Sequence, residues 1–107
     1  MIAALVLFSV PAGTTLAQMT EAFEASAPRF RGMPGLISKH YLFDGKERGG
    51  AFYVWSTRAQ AEALYNEEWR KSLTERYGSP PSLSIFEVPV SIANDRTAEL
   101  MRNVPLL

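Results

Sequence analysis

Lys39 and His40 stand side by side in one apolar stretch of the chain, and Tyr53 and Trp55 stand two residues apart in another. A lysine at the centre of a strand is a rare placement for an ammonium. In an apolar cleft such a group stabilises a phenolate or carboxylate. Histidine is the side chain most used as a general base. Tyr53 carries a hydroxyl that needs a partner when buried and can orient a ligand. Lys39, His40 and Tyr53 are therefore the candidates for proton transfer and anion stabilisation. Tyr41, Trp55, Tyr65, Trp69 and Tyr77 supply aromatic surface of the kind that walls a small-molecule pocket. Each has a plainer reading. Lys39 can guard an edge strand with its ammonium in water. His40 can bond to backbone or to a partner subunit, and the aromatics, Trp55 above all, can be core.

Composition removes several chemistries. The chain has 107 residues, with 47% hydrophobic and 21% charged, which suits one soluble domain spanning residues 1–107. Eleven basic and eleven acidic residues leave no net field for a nucleic acid or an anionic membrane. There is no cysteine and one histidine, so thiol chemistry and multi-histidine or cysteine metal sites are excluded. Asp44 and Glu47 lack a third metal ligand. Gly49 and Gly50 open a strand rather than a helix and do not make a phosphate loop. No Ser-His-Asp set or paired carboxylates are visible.

The elements that must position the candidates follow from local signals. Ile2 to Val10 is apolar on both faces, as a strand covered on both sides should be. The longer stretch Met1 to Gln18 superficially resembles a secretory signal but has no positive residue before Arg29, so a buried strand and a cytoplasmic protein are expected. The apolar run Ile2 to Val10 is also too short to cross a bilayer. Thr15 and Gln18 form a capping box that opens a helix to about Arg31. Leu16, Met19, Phe23 and Phe30 make its apolar stripe, Arg29 and Arg31 suit its C-terminal dipole, and Pro28 predicts a kink or an early end. Gly35–Phe43 and Gly50–Trp55 read as two strands joined by the polar run Asp44–Gly49. Thr57 and Gln60 form a second capping box, and the helical pattern runs to about Tyr77 with a joint near Asn66. Leu64, Trp69, Leu73 and Tyr77 face inward there, and Glu67 with Lys71 forms an exposed pair. Leu83–Ile92 is a last strand, apolar on both faces. Asn94 caps a short helix through Met101, and the apolar tail 103–107 docks on the domain or a partner.

The order is β-α-β-β-α-β, an α+β fold of the ferredoxin-like kind, with a four-stranded antiparallel sheet and helices on one face. Two helices cover one sheet face, yet the first, third and fourth strands read as apolar on both. An apolar face of that extent marks an interaction surface. Its simplest cover is a second copy packed sheet to sheet, a two-fold homodimer.

In Pro34, Gly35, Leu36 and Lys39, then Gly49, Gly50, Tyr53 and Trp55, then Glu68 and Trp69, the chain resembles the YdhR-type family. That family belongs with the antibiotic-biosynthesis monooxygenases in the dimeric α/β-barrel group. The resemblance spans roughly residues 2–92. It implies a ferredoxin-like dimer and oxidation of a phenolic or polycyclic aromatic molecule by O₂ with no cofactor. The same scaffold hosts isomerases, haem-degrading enzymes and proteins with no known activity, so an isomerase or lyase, or a non-catalytic binding or interaction protein, is the alternative, and fold alone does not choose among them. The haem-degrading members use an Asn, Trp and His set that has no residue-by-residue match here.

Overall fold

The computed structural model describes residues 1–94. Its elements are β1 (Ile2–Ser9), α1 (Leu16–Phe30), β2 (Leu36–Phe43), β3 (Arg48–Trp55), α2 (Arg58–Leu64), α3 (Glu67–Tyr77) and β4 (Ser82–Glu87). The four strands form one antiparallel sheet in the order β2-β3-β1-β4. This is the ferredoxin-like arrangement expected, with the second helical run divided into α2 and α3. The expected helix from Asn94 and the apolar tail lie outside the described residues. Among the described residues no helix is long and apolar enough to cross a membrane.

Capping explains most of the boundaries. At α1 both halves of the Thr15–Gln18 capping box are present. At α2 the box is half formed. The Thr57 hydroxyl accepts from the Gln60 N–H, but the Gln60 side chain meets that hydroxyl instead of the Thr57 backbone. Asn66 supplies the joint, because its side-chain oxygen accepts from the Trp69 N–H and starts α3 as a new helix. Gly78 ends α3 at φ +86°, a left-handed cap that glycine adopts without strain. In the hairpin, Asp44 Oδ1 accepts from the N–H groups of Lys46, Glu47 and Arg48. That is a solvated turn, as its composition suggests.

Four details differ from the sequence reading. Of the two outcomes expected at Pro28, the early end does not occur, and α1 runs on to Phe30. The carbonyl that proline leaves without a helical donor is that of Glu24, one turn back, and both residues are exposed, on the side of the helix where water can take the donor's place. Leu16 is exposed, leaving the α1 stripe to Met19, Phe23 and Phe30. The last strand ends at Glu87, with Val90 and Ile92 exposed beyond it. Within it Ser82 and Ser84 alternate with Leu83 and Ile85, so only Phe86 brings apolar surface to the outer face. Glu67 and Lys71 do not pair: among the described residues the ion pairs within 4.0 Å are Asp44–Arg48, Arg58–Glu62 and Arg58–Glu87.

The core lies between sheet and helices. Ile2, Ala4 and Val6 of β1 join Ala51, Tyr53 and Trp55 of β3 beneath Ala61 and Trp69. β1, once the ambiguous segment, is therefore an inner strand of the sheet. Its approach to β3 is close at Gly50, where an added Cβ would run into the Val6 carbonyl. Gly50→Ala is expected to lower stability by about 1–3 kcal/mol, measured by urea unfolding. The same substitution at Gly45, whose Cβ position is open, perturbs only a turn of positive φ.

Candidate functional site

A β-bulge decides which side chains of β2 reach the helices. Leu36 pairs with Trp55 and Ser38 with Val54, leaving Ile37 as the extra residue. Beyond the bulge Lys39 pairs with Tyr53, and Tyr53 pairs on its other side with Ala4. Directly paired residues share a face, so Lys39, Tyr53 and Ala4 form one row beneath the helices. His40 pairs with Phe52 in the next row and turns to the opposite face.

Above the Lys39 row is a cavity of about 330 Å³, between the sheet, α1 and α3. It exists because its floor is small, built from Gly50, Ala51 and Val6, while α1 sits over β2 and α2 over β1 and β3. The gap beneath α3 is bridged by long side chains, as where Tyr77 stacks on Phe8 with ring centroids 4.0 Å apart. Trp69 and Leu73 form the same wall, and Phe23, Ser26 and Phe30 form the α1 side.

Lys39 projects into this space rather than guarding the edge of the sheet. Its Nζ lies 3.2 Å from the ring centroid of Phe30, 4.3 Å from that of Tyr41 and 4.8 Å from that of Tyr53. Burial, and then the neighbouring Arg29 guanidinium, bring its pKa down to about 7. The ring faces act the other way, attracting the cation. Lysine near such a midpoint exchanges protons at physiological pH.

The Tyr53 phenol beside it is held neutral. Burial pushes Tyr53 up from its ordinary value, the nearby Tyr41 phenol adds to this, and Arg29 opposes it. Tyr41 bonds to Ser26, oxygen to oxygen, at 2.6 Å, and Ser26 in turn donates to the Phe23 carbonyl at 3.1 Å. With the serine hydrogen so used, the Tyr41 hydroxyl is the donor.

The site residues expected from sequence thus separate into three groups. Lys39, Tyr41, Tyr53, Trp69 and Tyr77 line the cavity together. Trp55 and Tyr65 stand behind its wall, where the Trp55 indole N–H donates to the Tyr65 hydroxyl at 3.0 Å and both rings pack against Tyr53. Tyr65 is likewise pushed up by burial, against the Trp55 hydrogen bond. These two support the site and do not border it. His40 is exposed on the far face of the sheet, out of reach of the cavity, because neighbours along a strand alternate.

Sequence reasoning missed Arg29, Phe30, Glu68 and Arg76, all of which line the cavity. Glu68, Ser72 and Arg76 repeat every four residues beside Trp69 and Leu73, and that spacing was the available signal. Arg29 had been accounted for by the helix dipole alone.

Comparison with known proteins bears on the scaffold. No family model and no curated protein matches the chain. Among solved structures, a Nitrosomonas europaea protein of unknown function is similar with a TM-score of 0.68 and 18% identity, over 88% of this chain and 94% of that one. A Streptomyces coelicolor monooxygenase in complex with nanaomycin D gives 0.66 and 17%, over 88% and 92%. SnoaB, a cofactor-independent oxygenase from Streptomyces nogalater, gives 0.60 and 18% in a mutant form, over 85% and 95%. The fold is that of the antibiotic-biosynthesis-monooxygenase-like structures, and at such identity the likeness concerns the fold alone.

The depressed lysine has a consequence for stability. Its folded pKa of about 7 lies below the reference 10.5. Between those values the unfolded chain holds more protons than the folded one, so this group makes stability rise with pH. The cost of burying it is full below about pH 7 and fades toward pH 10.5. Lys39→Met should therefore be more stable than wild type at pH 6, by about 1 kcal/mol after allowing for water at the cavity mouth. The difference should close by pH 10, as read from unfolding midpoints.

Proposed function

We propose that the protein is a monooxygenase of the YdhR type that oxidises a phenolic or polycyclic aromatic molecule with O₂ and no cofactor. The observation that carries this reading is Lys39, an amine near neutrality inside an aromatic cavity on a scaffold shared with oxygenases. The neutral amine takes the phenol proton, giving a phenolate beside the new ammonium. The phenolate passes one electron to O₂, and the resulting radical and superoxide combine at a ring carbon to give a peroxide. Loss of water, with the carbon's hydrogen leaving as a proton, produces a quinone carbonyl. Overall, a phenol and O₂ give a quinone and water, with all four electrons drawn from the substrate. Tyr53, kept as a neutral phenol, offers a hydrogen bond to the developing oxyanion. Phe23, Trp69 and Tyr77 hold the rings and exclude water.

The amine must be unprotonated to act, so oxygen uptake should rise as pH increases through about 7 and level off above it. Measured with naphthols, hydroquinones and polycyclic phenols in an oxygen electrode, Lys39→Met should lose about 10²–10³ of the rate. His40→Ala should keep the pH profile. Conversion that continues under strict anaerobiosis overturns the oxygenase reading in favour of an isomerase or lyase.

The same proposal includes a homodimer through the open sheet face. That face carries Leu5, Leu7, Leu42, Phe52, Val54 and Phe86, with Phe86 52% exposed. No helix of the described chain covers it, and an apolar sheet face in water calls for a partner. His40 then belongs to the interface. Phe52→Glu, at the centre of the face, should convert a dimer to a monomer in light scattering. A wild-type monomer at micromolar concentration removes this part of the proposal.

A further inference from the structure

The cavity carries charge that the oxygenation chemistry leaves unused. Arg29 from α1, Arg76 from α3 and the less exposed Lys39 from β2 all border it, with Glu68 as the single carboxylate. Neither arginine lies within 4.0 Å of an acidic group among the described residues. Both are exposed, so they stand at the mouth, while Tyr53 and Trp69 are buried within. Arg29 and Lys39 approach the same Phe30 ring, at 5.4 Å and 3.2 Å from its centroid. Three basic side chains against one carboxylate around an aromatic-lined space leave positive charge in excess, which makes a site for an anion.

The geometry points to an aromatic acid as the ligand: its rings enter the cavity, and its carboxylate stays at the mouth on Arg29, in the positive field of Arg76. This rests on the reading that the cavity is the substrate pocket, and it adds a second anchor to that substrate. A planar guanidinium matches a carboxylate with two parallel hydrogen bonds, which a lysine does not provide. The division of labour is consistent with the proposed chemistry. The arginines hold a group that is ionised throughout, and Lys39 is left free to take a phenol proton inside. Seating a negative charge on Arg29 also offsets the guanidinium's pull on Lys39 and strengthens that base. The other polar side chains that border the cavity are Ser26, Tyr41, Tyr53, Asn66, Glu68, Ser72 and Tyr77, and none of them carries a positive charge to seat an anion.

The test is isothermal calorimetry on the full chain with 2-naphthoate and its neutral isostere 2-naphthamide, at pH 7.5 and low salt. The acid should bind about tenfold more tightly than the amide, and added salt should shrink the ratio. In the double variant R29Q/R76Q the ratio should fall toward one while amide affinity and melting temperature stay at wild-type values. Lys39→Met should keep the preference for the acid. Equal binding of acid and amide by wild type, or an undiminished ratio in the double variant, overturns the inference. If oxygen uptake with phenols persists in that case, the pocket reading survives without its carboxylate anchor. Failure of both probes to bind removes the pocket reading as well.

Discussion

An ammonium 3.2 Å from a phenylalanine ring centroid needs an environment that replaces water without quenching its reactivity. A carboxylate partner would keep Lys39 protonated, and a fully apolar shell would exclude the charge. Three aromatic faces and a nearby guanidinium do neither. The rings hold the cation weakly, while burial and Arg29 push against it, and the balance falls near neutral pH. Much of the surrounding structure follows from keeping that side chain there. The floor must be small enough to leave space, the α1 end must present Phe30 and Arg29 together, and α3 must stand off the sheet.

The placement rests on one inserted residue. Leu36 and Lys39 are three apart and would lie on opposite faces of a regular strand. The bulge at Ile37 restores Lys39 to the face of Leu36. Without it, pairing continued from Leu36 and Trp55 would set Lys39 against Phe52 and place its ammonium on the open face, with His40 beneath the helices. The choice between the two candidate bases is therefore a matter of register, and a slip of one residue reverses it.

This explains how much could be read from the chain. The elements were legible because their ends carry their own chemistry: Thr15 with Gln18, Thr57, Asn66 and Gly78 each mark a boundary through a local hydrogen bond or a left-handed cap. The hairpin itself was legible, but the register that sets Lys39 opposite Tyr53 came only with the structure. Local patterns favoured Trp55 as core but could not separate Tyr65, behind the wall, from Trp69 and Tyr77, which face the cavity. Depth behind a surface is set by how helices sit on a sheet, and no spacing encodes it. Arg29 escaped notice for a related reason. One position satisfies both the dipole of α1 and the mouth of the cavity, and only the first is visible along the chain.

Alternation along β3 joins the two faces of the sheet. Tyr53 and Trp55 point into the core and cavity side, while Phe52 and Val54 point outward between them. Any cover on the outer face presses on the same backbone that positions Tyr53 opposite Lys39. A second copy there would restrict the sheet's twisting and fix the distance between the Lys39 amine and the α1 rings. Because closely packed interiors transmit strain, association and the setting of the cavity would then act through one strand. The inner strand β1, paired on both sides and held against β3 by Gly50, provides the rigid backing that such coupling requires.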